Sequence, residues 1–201
     1  MFNKIPLLIY FILISLPFFA QPQLELTQGM AIRESVTIKP GVYNFHSKDL
    51  DAPVITIEGN NITIDFNNSI INGNLDGQMP NEFKGLGILI KSGKNIIIKN
   101  LQVKGFKVAL MAQDAENLEI TDSDFSYNYR MKLYSIRERE NFQDWLSYHN
   151  NENDEWLRYG AGIYLKGCNN ALVKNVHITQ NQNALLMKQC NNGLFYNNTF
   201  H

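Results

Sequence analysis

Residues 162–178 read GIYLKGCNNALVKNVHI, and 22 residues later residues 184–200 read ALLMKQCNNGLFYNNTF. Each copy is a hydrophobic triplet, a polar turn ending in asparagine, then a second hydrophobic stretch. The same frame occupies residues 87–103 as GILIKSGKNIIIKNLQV, and its hydrophobic, turn and strand positions recur 22 residues on, through Phe125. A unit this short cannot bury its own apolar face, so copies must stack to make a core.

Stacking makes the columns testable. If each copy is one coil of a solenoid, equivalent positions lie about 4.8 Å apart on neighbouring rungs. Ile88, Leu110, Ile163 and Leu185 then form one column. Ile98, Ile120, Val173 and Phe195 form a second, and Val103, Phe125, Ile178 and Phe200 a third. Every member is apolar. Asn95, Asn117, Asn170 and Asn192 align at one corner, and Asn100, Asp122, Asn175 and Asn197 at another. Asparagine tolerates the left-handed backbone of a tight corner, and stacked amides can hydrogen-bond from rung to rung. Short strands rich in β-branched residues between polar corners predict an all-β fold, a single-stranded right-handed parallel β-helix with about five coils visible. An earlier coil fits at ITIEGNNITIDFNNSII, with Asn61 in the Asn95 column if a loop adds 12 residues.

At these residues the chain resembles the right-handed parallel β-helix repeat superfamily, which includes pectate-lyase-like proteins and NosD-like repeat proteins. The resemblance covers roughly residues 36–201. SVTIKPGVYNF looks like an entry segment leading into the opening coils. RYGAGIYLKGCNNALVKNVHITQNQNALLM looks like a rung of the NosD-like proteins. The resemblance implies a fold more than an activity, because the superfamily carries lyases, hydrolases, epimerases, adhesins and binding proteins on one scaffold. No catalytic signature of pectate lyases or polygalacturonases transfers residue by residue. The residues call for no cofactor and no metal; calcium follows only by analogy with the family.

Three regions are expected along the chain. Residues 1–20, MFNKIPLLIYFILISLPFFA, combine Lys4, an apolar run from Ile5 to Phe19 and a small residue at Ala20. This reads as a secretory signal peptide, since a spanning helix needs about 20 apolar residues. It predicts export to the periplasm or beyond, with no membrane span after cleavage. Residues 21–52 are expected to form an N-terminal strand or cap, and residues 53–201 the β-helix. The sequence stops at His201 as a third strand finishes, so further coils and a cap are expected beyond it. The uncovered edge invites edge-to-edge self-association. Net charge is −1 with acidic and basic residues intermixed, and no basic stripe marks a nucleic-acid partner. Cys168 and Cys190 occupy equivalent positions on adjacent rungs, which allows either a disulfide or two stacked thiols.

The period then breaks. Between the second and third of these clear rungs it jumps to 53, leaving an insertion at residues 126–160, SYNYRMKLYSIRERENFQDWLSYHNNENDEWLRYG. Both tryptophans of the chain lie here. Loops inserted at one corner of a solenoid commonly build its binding face, and aromatic rings among Arg, Asp and His suit a polysaccharide or oligosaccharide. Tyr148, Trp156, Arg158, Tyr159, Asp154 and Glu155 are therefore candidate substrate contacts. A helical flap that only stabilises the coil is the competing expectation, since Ile136, Phe142, Trp145 and Leu146 have helix-like spacing.

On the coil itself, alternation turns Ser123 and Phe125 inward and Asp124 outward, and the same column on the next rung holds His177. An aspartate one rung from an imidazole can orient it for acid–base work. Arg130, Lys132 and His149 are the further catalytic candidates, able to neutralise a carboxylate or move a proton in a uronide lyase. A hydrolase would instead need two carboxyl groups flanking the scissile bond. The two function classes that remain are an exported carbohydrate-active protein and a non-enzymatic NosD-like accessory or surface scaffold.

Overall fold

The computed structural model describes residues 23–144 and 159–201. Residues 1–22, where the signal peptide is expected, lie outside the described residues. So do residues 145–158 of the insertion.

Parallel strands follow one another around a coil. β1 (Met30–Ile32), β4 (Ile55–Ile57), β6 (Leu86–Lys94), β8 (Val108–Glu116), β10 (Ala161–Lys166) and β12 (Leu185–Lys188) form a six-stranded parallel sheet in that order. The second sheet has eight strands. Its path runs β13 (Leu194–Tyr196), β11 (Leu172–Ile178), β9 (Glu119–Asp124), β7 (Ile96–Lys104), β5 (Ile62–Asn72) and β2 (Val36–Thr37). β14 (Thr199–Phe200) pairs with β11, and β3 (Val42–Asn44) with β5. Every turn of the chain adds one strand to the first sheet and one or two to the second, so the described residues make six coils of a parallel β-helix. The sixth comes from the stretch expected as an N-terminal strand or cap, whose β1 continues the first sheet in register, Met30 opposite Ile55.

The columns read from the sequence are the columns of the structure. Ile88 faces Leu110, Leu110 faces Ile163, and Ile163 faces Leu185. In the second sheet Ile64, Ile98, Ile120, Val173 and Phe195 pair successively. Ile98, Ile120 and Val173 have no exposed surface. Burial of one such side chain contributes about 1.5–3 kcal/mol, and the rungs supply it in repeated layers.

The corners are held by backbone geometry and amides together. Asn61, Asn95, Asn117, Asn170 and Asn192 have φ between 53° and 57°. Their side chains form a ladder: Asn95 Nδ2 donates to Asn61 Oδ1 at 2.7 Å, Asn117 to Asn95 at 2.8 Å, and Asn170 to Asn117 at 3.1 Å. The second corner repeats the device at Asn100, Asp122, Asn175 and Asn197, all left-handed. Asn175 there donates to Asp122 and Asn197 to Asn175. One rung earlier the strand bulges between Asp65 and Ser69, and Asp65 takes the ladder position, accepting from Asn100 Nδ2 at 2.9 Å. Burial raises the Asp65 carboxyl, but bonds from Asn100, the Asn67 N–H and Lys99 outweigh it and hold the group below its usual range. A third left-handed corner position, Ser92, Asp114, Gly167 and Gln189, is not recognisable from residue type.

The insertion leaves the coil after Phe125 through a clamped root. Asn128 has no exposed surface; its Nδ2 donates to the carbonyls of Phe125 (2.8 Å) and Val103 (3.1 Å), and its Oδ1 accepts from Phe106 N at 3.1 Å. Across the insertion, Asn181 Oδ1 accepts from Asn128 N at 2.7 Å, and Asn181 Nδ2 donates to Phe125 O at 2.8 Å. Beyond the root, the described part of the insertion is a turn bridged between Ile136 and Arg139 and a single 3-10 turn, Phe142–Asp144, with no α-helix among the described residues. The Asp144 carboxylate accepts from Tyr134 N at 2.8 Å and also from Ser135 N. The Ser135 side chain foremost, then the Tyr134 and Ser135 N–H groups, lower its pKa.

Three outcomes follow from this construction. Asn117→Ala should lose about 1–3 kcal/mol, from the left-handed corner and two ladder bonds. Asn117→Gly keeps the corner and should fall between Ala and wild type in denaturant melts; an alanine variant more stable than the glycine one would refute the strain argument. Asn128→Ala should cost more, about 2–4 kcal/mol, because the buried Phe106 N–H loses its acceptor and the Val103 and Phe125 carbonyls lose the bond from the amide. Asp144 has a depressed pKa, so its support of the turn is present above its unfolded value of about 3.9 and lost as pH falls through the lower folded value. Amide exchange at Tyr134 should accelerate in that acid window, and Asp144→Asn should abolish the step.

Candidate functional site

The outward face of the second sheet carries a shallow groove of about 390 Å³ where β5, β7, β9 and β11 pass side by side. Its polar wall is built from Gln102, Asp122, Asp124, Asn175 and His177, with Asn100 at the corner. Alternation places the site residues: Ser123 and Phe125 are buried, Asp124 is half-buried and His177 is exposed. Gln102, Asp124, His177 and Thr199 occupy one outward column on four successive rungs. Neighbouring rungs are about 4.8 Å apart, so the imidazole and the carboxylate emerge beside each other. The Asp124 carboxylate accepts from Ser126 N at 2.8 Å, which ties it to the first residue of the insertion.

Two of the sequence candidates, Asp124 and His177, therefore share one groove. The others do not join them there. Arg130 is exposed, and its backbone N–H bonds to Pro80 O at 3.3 Å, beside a short 3-10 turn at Pro80–Glu82. Lys132 is exposed, with its Nζ 6.0 Å from the Tyr134 ring centre. Tyr159 is half-buried where the chain re-enters the coil ahead of β10. Tyr148, His149, Asp154, Glu155, Trp156 and Arg158 lie outside the described residues.

The groove adds residues that the pattern alone did not single out. Asp122 belongs to the corner ladder, yet it also lines the groove two residues from Asp124. The signal was the D-x-D of TDSDF, masked because its first aspartate also satisfied the corner rule. Gln102 was missed because its column holds a different residue type on each rung. The groove offers two carboxylates, an imidazole and several amides, a set able to accept and donate hydrogen bonds to hydroxyl groups and to move a proton.

The cysteines play no part in this chemistry. Both are free thiols stacked in one corner. Cys168 Sγ sits 3.6 Å from Ala112 O and Cys190 Sγ 3.5 Å from Leu165 O. Burial pushes the Cys168 thiol up to about 11, far from the thiolate that nucleophilic chemistry needs. Among the described residues, no cluster of three or more His, Cys, Asp or Glu side chains is arranged to hold a metal ion. No helix among them is long and apolar enough to cross a membrane.

No curated protein matches the chain by sequence. A solved structure titled "putative glycosyl hydrolase", from Parabacteroides merdae ATCC 43184, aligns with 88% of this chain and 76% of its own length. The identity is 13% and the TM-score 0.49, a distant likeness that says nothing about activity. The family described as "Right handed beta helix region" matches residues 86–201, more than half of the sequence and four of the six coils. The repeated rungs, the parallel register and this match agree, and the protein belongs to the right-handed β-helix family.

Proposed function

We propose that this is an exported carbohydrate-active β-helix protein that binds or processes a polysaccharide along the outer face of its second sheet. The observation that carries the reading is the groove in which Asp122, Asp124 and His177 stand together beside the root of the insertion. A parallel sheet presents side chains at a regular spacing, so an extended polymer lying across the rungs meets the successive residues of one column in turn. Asparagine and glutamine amides suit sugar hydroxyls, and Asp124 and His177 are the groups placed to take and return a proton. Asp122 and Asp124 both line the groove, and a pair of carboxyl groups is what glycoside hydrolysis uses. The amino-terminal segment, with its charged start, apolar run and small residue, supports export.

A second reading has its own observation. Asp124 spends its carboxylate on Ser126 N and so stabilises the root of the insertion. That is the behaviour expected of a non-enzymatic scaffold of the NosD-like kind, in which the groove is only a polar surface.

Incubation of the protein with a panel of glycans, followed by unsaturated-uronide absorbance and reducing-end assays, separates the two. Under the enzymatic reading at least one glycan is cleaved, and Asp124→Asn or His177→Ala lowers the rate by about 10²–10⁴-fold. His177→Ala should leave stability within about 0.5 kcal/mol, since the side chain is exposed. Binding without cleavage, unaffected by either variant, favours a carbohydrate-binding role elsewhere on the coil. Neither binding nor cleavage across the panel leaves the scaffold.

A further inference from the structure

A second concavity lies where the chain passes from Gly105 to β8, with Tyr129 of the insertion root in its wall. It has a volume of about 420 Å³ and is lined by Lys48, Lys84, Lys107, Leu50, Phe83 and Tyr129. We propose that this pocket is a subsite for the negatively charged unit of an acidic glycan, a carboxylated or sulfated sugar. The inference rests on the carbohydrate reading above and names the substrate class within it.

Three segments bring the lysines together, and each is pinned. Ser47 Oγ lies 2.8 Å from Asp49 O and 2.6 Å from Ala52 O, either of which can take its one proton, and accepts from Leu86 N at 3.0 Å, which fixes the loop carrying Lys48 and Leu50. Gly85 has φ +70°, and a Cβ there would meet Ser47 Oγ at 2.1 Å, so only glycine lets the two segments approach. Lys107 N donates to Lys84 O at 3.1 Å and so joins the second segment to the third. The backbone that carries the three lysines is therefore held together by the fold.

Its charge is also directed. Asp49 and Glu82 line the same pocket, but Asp49 Oδ1 accepts from Asp51 N at 3.1 Å and Glu82 Oε2 from Met79 N at 2.8 Å. Each carboxylate is turned back onto its own loop. None of the ion pairs among the described residues uses Lys48 or Lys84. The floor is apolar and aromatic: Phe83 is 1% exposed, the Tyr127 ring stands edge-on to it at 5.5 Å, and Lys107 Nζ lies 3.3 Å from the centre of the Tyr129 ring. Phe83 and Leu50 give the pocket an apolar base, and an ammonium rim above it takes an anionic substituent.

The groove makes such a subsite necessary for an acidic polymer. Among the described residues it is lined by Asp122 and Asp124 and by no lysine or arginine, so these carboxylates repel the charged unit of such a chain. Ser126, bonded to Asp124, and Tyr129, in the pocket wall, are three residues apart in the insertion root. One polymer can thus place a hydroxyl-bearing unit against the aspartates and a charged unit against the lysines.

The test uses the full chain and polymers that differ only in charge: dextran against carboxymethyl-dextran, and methyl-esterified against de-esterified polygalacturonate, by affinity electrophoresis near 0.15 M salt, on the order of physiological ionic strength. Lys48→Gln/Lys84→Gln is compared with a control of equal charge change, Lys91→Gln/Lys174→Gln, both checked for an unchanged melting temperature. The acidic member of a pair should bind more tightly, and the pocket variant should lose about tenfold in affinity for it, the loss of a charge-assisted contact, while the control stays within about twofold. Equal weakening by both variants would show a diffuse charge effect and overturn the subsite. Neutral polymers retained as tightly as acidic ones would overturn it too and leave the carbohydrate reading standing. No retention of any polymer would sink both.

Discussion

The rest of the structure depends on rung-to-rung stacking at about 4.8 Å. Each coil is too short to have an interior of its own, so Ile98 is buried only because Ile64 lies on one side of it and Ile120 on the other. The same spacing lets Asn117 bridge Asn95 and Asn170 by side-chain amides. Apolar columns and polar ladders are two consequences of one register. A slip of one residue would send every inward side chain of a strand to the outside and break both at once.

That register also places the chemistry. Gln102, Asp124 and His177 come from three coils and share an outward column because each is the residue before an inward-facing member of the same core column: Val103, Phe125 and Ile178. Packing fixes where they emerge, and the residues themselves are free to vary. Binding sites on solenoids arise in this way, with the core columns held constant and the outward ones available for function. The insertion enlarges the available surface without disturbing the stack. The buried amide of Asn128 and the half-buried one of Asn181 satisfy the broken backbone pairing and let β10 resume the register, Ile163 opposite Leu110, 53 residues further along the chain.

Electrostatics divides the two concavities beside that insertion. The groove holds carboxylates, an imidazole and amides; the corner pocket holds lysines over aromatic rings. The chain through Ser126–Tyr129 links them, Ser126 bonded to Asp124 and Tyr129 in the pocket wall. The glycine at Gly85 and the Ser47 hydroxyl act on the pocket from a distance, by setting how closely the loop before β4 approaches the start of β6. Its shape is thus a property of three coils at once.

The sequence by itself determined the fold, its strand columns and its asparagine corners. Those features repeat, and a repeat is visible wherever residue type and spacing recur together. It also determined that Asp124 and His177 would face outward as neighbours, since alternation along a strand and the 22-residue period fix both facts. Only the tertiary structure decided the remainder. The extra rung at residues 30–44 lacks the repeat's corner asparagines and shows itself by its pairing, with Val36 opposite Ile64 and Val42 opposite Ile70. Asp122 had to serve a corner and a groove, and the corner rule hid the second role. The lysine pocket assembles residues 48, 84 and 107, which share no period; a single glycine contact and a serine hydroxyl bring them together. Periodic interactions are written in one dimension, whereas a site made by the close approach of unlike segments exists only once the chain has folded.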